Sequence, residues 1–564
     1  MKTKQSILHY VAASTVCLSS SITFAVPCPR PRLRLPLLFV AVEMFLLLLS
    51  ITSSTFAGSA TWKANPTSGD WNTAANWTPP TVPNGQPDTA TFAVSNTTGV
   101  SLSANTEVNG IVFNAGASAF TITATPTFKL TISGVGITNN SGMTQNVVGR
   151  IDFLNAASAG RSTAFTVNGL IQFLHSSSAG SGAFTIDGGR IIFINTSSAA
   201  SGTFLNLGSP TFPGSLLFAS ESTVGNATIT TSSSPVSGGF GAQTILLGGA
   251  TAADGIFFTN GGAFSGANAG ALIDFQEDST AGNSTLIANS GSAVGGGILF
   301  SHDSAGGTAR VKVFGNGFLD IGGHNAPGVS IGSIQGSGLV LLGALNLTVG
   351  SNNRSTNFSG LIQDGGRFGG SGGSLTKVGS GTLVLRNSNA YTGGTTINGG
   401  KLVVNNESGS GTGSGPVQVN AGRLGGRGII AGDVTLGDGS GRGAILAPGK
   451  SANTRGTLVI ASRLTFNSDG TYDFELNSDT RNADGVIANG VTINSGAQFS
   501  FTDVGNGAFP FGTVFTAITN ASGTPIAGTF SNLPDGATFT NNGNTYQVNY
   551  ESGDGNDLTL TVVP

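Results

Sequence analysis

Leu375–Val404 reads LTKVGSGTLVLRNSNAYTGGTTINGGKLVV. Three short apolar runs stand out: Leu383–Leu385, Thr395–Ile397 and Leu402–Val404. Within each, branched residues alternate with small or polar ones, the period of a β-strand. Gly379, Gly381, Gly393, Gly394, Gly399 and Gly400 separate the runs, and glycines so placed mark turns. Strand, turn, strand, turn within 30 residues is the make-up of one coil of a stacked β-solenoid.

Outward from this coil the chain repeats itself. Ile151–Leu170, Ile171–Arg190 and a third copy from Ile191 to Pro210 begin IDFLNAASAG, IQFLHSSSAG and IIFINTSSAA. The period is 20 residues, and each copy carries a second apolar run, around Phe165, Phe184 and Phe204. Two or three strands in such a length form one coil. Phe153, Phe173 and Phe193 are then expected in one inward column, and Ser158, Ser178 and Ser198 in one turn column. Looser copies start at Phe218, Phe275 and Phe300, with turn insertions expected to vary the coil length. Residues 96–460 hold roughly 15–18 coils at 20–25 residues each, and at about 4.8 Å per coil they span roughly 70–90 Å.

Composition agrees. The chain has 564 residues, 88 of them Gly and only 9% charged, without the Gly-X-Y period of collagen. Its 35 Phe and 38% hydrophobic content exclude a disordered chain. The period and composition together give an all-β fold, a right-handed parallel β-helix (solenoid) with β-rich caps at both ends.

The coil at 375–404 also resembles the autotransporter-associated β-strand repeat of bacterial surface proteins. The residues that carry the resemblance are Leu375, Lys377, Gly379, Gly381, Leu383, Leu385, Asn389, Tyr391, Gly393, Thr395, Ile397, Gly400, Leu402 and Val404. That family is defined by a structural repeat and by no reaction. Ala447-Pro448-Gly449 resembles the ending that precedes the family's last strands, and the tail from Phe515 resembles its terminal β-rich unit. The resemblance implies a passenger-like β-helix, although no C-terminal barrel is evident: the residues beyond 460 are rich in loop types, where a barrel needs many strands of about ten residues.

The N-terminus reads as a leader. Arg30, Arg32 and Arg34 precede the apolar run Leu35–Ile51, and Thr55-Phe56-Ala57 supplies small residues for cleavage between Ala57 and Gly58. Both cysteines, Cys17 and Cys28, fall inside it, so the remainder has no disulfide or thiolate site. Of 24 basic and 27 acidic residues, five and one lie in the leader, leaving 19 and 26, a formal −7. Such a balance argues against nucleic-acid binding. Contact with a membrane is expected only through the leader or through a sorting tail whose opening Val562-Val563-Pro564 resembles. The expected organisation is a leader at 1–57, a cap at 58–95, solenoid coils at 96–460 and a second cap at 461–564.

The first cap holds all three tryptophans, Trp62, Trp71 and Trp77. A solenoid's first coil has no neighbour, and large aromatics cover its apolar end. The alternative is a platform on which sugar rings stack. For catalysis the candidates are Glu221, Asp278 and Asp303, which share one position of the looser copies, with His302 beside the last. Stacked carboxylates can raise a pKa or hold Ca²⁺. The same residues before glycine also make ordinary turns, and that reading is preferred. Asp469, Asp473, Glu475, Asp479 and Asp484 form an acidic run expected on a solvated face, and Gly553–Leu558 echoes half of a calcium-binding repeat. No cofactor or metal is expected. The sequence points to an exported structural or adhesive β-helix at the cell surface or outside it, without catalysis, with extracellular glycans or cell-surface components as partners. The alternatives are a carbohydrate-binding module using the tryptophans and a polysaccharide-active β-helix enzyme.

Overall fold

A computed structural model describes residues 58–266, 268–449 and 456–564. The leader, with Ala57 of the expected cleavage site, lies outside the described residues. Gly58 is the first of them.

The described chain is a parallel β-helix of about 17 turns. Its strands are short because each is one side of a coil. Arg190–Phe193 and Thr382–Leu385 show why they form: every second side chain is buried and the others face out. Four sheets run along the stacking axis. The first has 15 strands and extends from Trp77–Thr78, which pairs antiparallel with Ala60–Trp62, to Leu361–Gln363. The second is continuous from Gly99–Ser101 to Gln498–Asp503. The third has eight strands, from Gly328–Ile331 to Val491–Ile493, and so begins before the first has ended. The fourth has seven strands and begins at Ile429–Ile430, before the third has ended.

The 20-residue period is the register. Phe173 pairs with Phe153 below and Phe193 above. Their rings stack at 4.7 and 4.5 Å, each pair within 3° of parallel, and Phe218 continues the column at 4.7 Å. Phe165, Phe184 and Phe204 form a second column on the opposite sheet, with ring spacings of 4.5 and 4.8 Å. The two columns meet edge to face at 5.9–6.0 Å. All seven rings are buried, at no more than 1% exposure. Ser158, Ser178 and Ser198 bridge in series as expected, and Thr223, Thr251, Thr280 and Ala305 continue the line. Each of the three serine hydroxyls accepts from the backbone N–H two residues on, at 3.1, 2.9 and 2.9 Å, which makes the corner of the coil.

The looser copies align through Phe193, Phe218, Leu246, Phe275 and Phe300. Their extra residues are turn insertions between the second and first sheets. Successive insertions bond to one another, Ser209 with Phe240 at 2.8–2.9 Å and Gly262 with Val294 at 2.8 Å.

Both ends are closed by aromatics. Trp62, Trp71 and Trp77 pack on each other at 5.0–5.1 Å and on Phe92 at 5.6–6.0 Å. At the other end, parallel stacking runs on past residue 461, through Gln498–Asp503. Val514–Asn520 still pairs parallel with Gly485–Ala488, and on its other edge antiparallel pairing begins, with Asp557–Val563 and then Asn544–Ser552 folding back on one another. The last coil has no successor, and a meander can turn the chain back along its own edge.

Candidate functional site

Four polar residues of the coil at 375–404, Lys377, Asn389, Tyr391 and Thr395, are buried, which demands a partner for each. Lys377 is 1% exposed. Its Nζ donates to the carbonyls of Val378, Gly379 and Gly399 at 2.6, 3.2 and 3.3 Å, gathering the corners of two successive coils. Burial pushes the ammonium down to about 8, so it stays mostly charged at neutral pH. Asn389 spans three coils: Oδ1 accepts from the Ile362 N–H at 2.8 Å and Nδ2 donates to the Gly411 carbonyl at 2.7 Å. Tyr391 is fully buried and its hydroxyl meets Thr395 Oγ1 at 2.6 Å. Burial holds that phenol well above its ordinary range.

The apolar members Leu375, Leu383, Leu385, Ile397, Leu402 and Val404 are all core residues. Gly379 and Gly400 have φ of +67° and +65°, a region that favours glycine. Gly381 and Gly393 have ordinary φ, but a Cβ on either would strike the backbone of the preceding coil. Every residue that carries the resemblance therefore serves the stacking of coils.

The carboxylate candidates do not converge. Glu221, Asp278 and Asp303 are exposed and lie in tight turns. Each follows a residue held at positive φ, Ser220, Glu277 and His302, at +59°, +53° and +57°. The shared register places Asp278 and Asp303 on neighbouring coils and Gly249 between Asp278 and Glu221. These are turn residues, and His302 is one of the left-handed corners. Among the described residues no group of three or more His, Cys, Asp or Glu is placed to hold a metal ion.

Of the two roles open to the tryptophans, the structure places them in the cap. Their rings are at most 1% exposed, and each indole N–H is spent on a backbone carbonyl, Thr97, Pro83 and Trp71. They cover the first coil and offer no platform for a sugar. Asp473 and Glu475 lie on the outward face of their strand and Asp479 is exposed, as expected of the acidic run, and the exception is Asp484, which is buried. Asp473 pairs with Arg423 at 2.7 Å. Asp469 accepts from Gly439 and Gly441, both at 3.0 Å, and Asp479 from Asn506 at 3.0 Å. Gly553–Leu558 is the turn of the terminal hairpin, and its Asp557 accepts from the Asn520 N–H at 2.9 Å.

Asp484, the last of the run, is 4% exposed. Oδ1 accepts from the Gly456 N–H at 3.1 Å, and Oδ2 has no partner among the described residues. Burial raises the carboxyl to about 7. The Gly456 N–H opposes that rise, Lys401 opposes it too, and the charges of Glu475 and Asp473 add to it. Gly449, whose φ is +79°, lies against this carboxylate with no room for a Cβ. The Ala-Pro-Gly ending is thus the lid of a buried acid, which spacing along the chain does not disclose.

Residues 375–404 match the family model described as the passenger-associated-transport-repeat. No curated protein matches the chain. The matched repeat, with its polar residues turned to coil stacking, and the β-helix around it fit an autotransporter passenger-like β-helix repeat protein.

Proposed function

We propose that the chain is an exported passenger-like β-helix that acts as a structural and adhesive stalk at or beyond the cell surface, and that it performs no chemistry of its own. The observation that carries this reading is the fate of the matched repeat's polar residues. Lys377, Asn389, Tyr391 and Thr395 are the residues a reaction would draw on, and each is buried and bonded between or within coils. A catalytic acid and base need to converge at a cleft, whereas Asp278 and Asp303 sit on exposed corners.

Fractionation of the producing cell, with protease added to intact cells, tests the location. The protein is expected outside the cytoplasm and open to the protease; retention in the cytosol refutes the reading. Turnover on a panel of neutral and uronic-acid polysaccharides tests the chemistry. Cleavage by the wild-type chain, lost in Asp278→Asn with Asp303→Asn while both remain folded, would make the protein an enzyme.

A further inference from the structure

Four successive coils build a groove outside the first sheet. Asn168 and Gly169 turn the chain into the Leu170–Phe173 strand, Gly188 precedes Arg190–Phe193, Phe212 ends the next turn, and Gln243 opens the strand after that. Register sets Leu170, Arg190, Ser215 and Gln243 in one line along the stacking axis. The groove they enclose has a volume of about 380 Å³, the size of a small-ligand site.

Three features of its lining bear on what it could hold. Phe212 is 74% exposed, more than any other phenylalanine among the described residues, whereas Phe173, Phe193 and Phe218 of the same coils are buried and Phe240 is 39% exposed. An exposed phenyl at the rim of a groove offers a ligand a flat apolar face. Arg190 is exposed and has no carboxylate within ion-pair distance; the two ion pairs of the described residues are Lys129–Asp152 and Arg423–Asp473. Asp187, the nearest acid along the chain, is exposed in the preceding turn and makes no ion pair with it. Gly169 is not required by the backbone: its φ is not left-handed, and an added Cβ would meet nothing closer than 3.7 Å. The missing side chain keeps the floor of the groove open without serving the fold.

We infer that this groove binds an acidic polysaccharide, with Arg190 taking a uronate carboxylate, Phe212 stacking on the apolar face of a sugar ring and the amides of Asn168 and Gln243 meeting hydroxyls. The guanidinium presents a planar fork of N–H donors that matches a carboxylate. A ring with one apolar face suits an exposed phenyl. Arg150, also exposed and unpaired, immediately precedes Ile151, whose partner is Ile171, and so stands two coils below Arg190. Two strand spacings are roughly 9.6 Å, about the length of a disaccharide unit, so the two guanidiniums fit charges that recur on alternate sugars of an extended chain. This inference rests on the adhesive reading above and gives it a partner.

The test is titration calorimetry of the purified exported chain with a hexamer of galacturonate, and with a neutral hexamer of glucose as control. Saturable binding of the acidic hexamer alone is expected. Arg190→Ala is expected to weaken it roughly tenfold to a hundredfold, the loss of a charge-assisted pair. Phe212→Ala and Gly169→Leu should weaken it as well. Arg190 and Phe212 are exposed, so circular dichroism of their variants should match the wild type. No saturable binding of the acidic hexamer, equal binding of the neutral one, or wild-type affinity in all three variants would each overturn the inference. Those results leave the cell-surface location untouched, and a cytosolic protein that still bound the hexamer would overturn the stalk reading alone.

Discussion

Residue by residue, the interior is occupied by stacked identities, and one stack is polar. Ser177, Ser197, Ser222, Ser279 and Ser304 precede the corner residues by one position, are buried, and have hydroxyls without a hydrogen-bond partner. Ala157 and Ala250 occupy the same position on other coils, so the site accepts a methyl group. A buried hydroxyl left unpaired costs desolvation without return. Ser197→Ala is therefore expected to leave stability unchanged or raise it by up to about 1 kcal/mol, read from denaturant melts; a loss of stability would show that the hydroxyl is bonded in solution. Asp484 makes a second prediction. Its carboxyl titrates near 7 when folded and near the ordinary 3.8 when unfolded. Between those values the folded chain keeps a proton that the unfolded chain has released, so stability falls as pH rises from about 4 to about 7 and then levels. Asp484→Asn should remove this slope, and an identical slope in the variant would assign it to other groups. The burial of Asp484 was not legible in the sequence, because it depends on Gly449 and Gly456 being brought against it from another coil.

At the level of the element, the coil was legible where identical residues recur at one interval. Phe153, Phe173 and Phe193 share a face because register and period coincide. The groove was not legible for the converse reason. Turn insertions put 25 residues between Arg190 and Ser215 and 28 between Ser215 and Gln243, so residues in line in space fall out of phase in sequence. The tryptophans left two roles open for a different reason: aromatic spacing does not say which way a ring faces, and only the structure shows three indoles covering one another. The Phe column supports a prediction about locality. Phe173→Ala removes a ring that stacks on two others, a truncation worth about 3–5 kcal/mol. Each coil touches only its neighbours, so the loss should open the coils around residues 151–218 and spare the C-terminal ones. Hydrogen exchange reads this directly, and uniform loss of protection along the chain would contradict it.

For the whole molecule, all-β class and solenoid architecture followed from composition and period, while the passage from one sheet to the next did not. Third-sheet strands such as Thr395–Ile397 and Val417–Val419 are three residues long, too short for alternation to announce a new face. The ends make the prediction at this scale. Deleting residues 514–564 removes the meander and bares the edge and apolar end of the last coil. The shortened protein is expected to self-associate, seen as a rise in scattered light; a monodisperse product would mean that the preceding coil closes itself.

The overlap of the sheets bears on how such a stack carries load. The second sheet is unbroken from Gly99 to Asp503, and beside it the first sheet gives way to the third, and the third to the fourth, with each successor starting early. No cross-section in that interval depends on one ladder alone. In a β-helix the interstrand bonds point along the axis, so tension on the two ends pulls on them lengthwise. A crack across the middle has to open both ladders at once, while the terminal coils have fewer to hold them. Failure starts at the tips and advances turn by turn, each turn surrendering its own short set of bonds, and the stack yields by gradual fraying in place of a single snap.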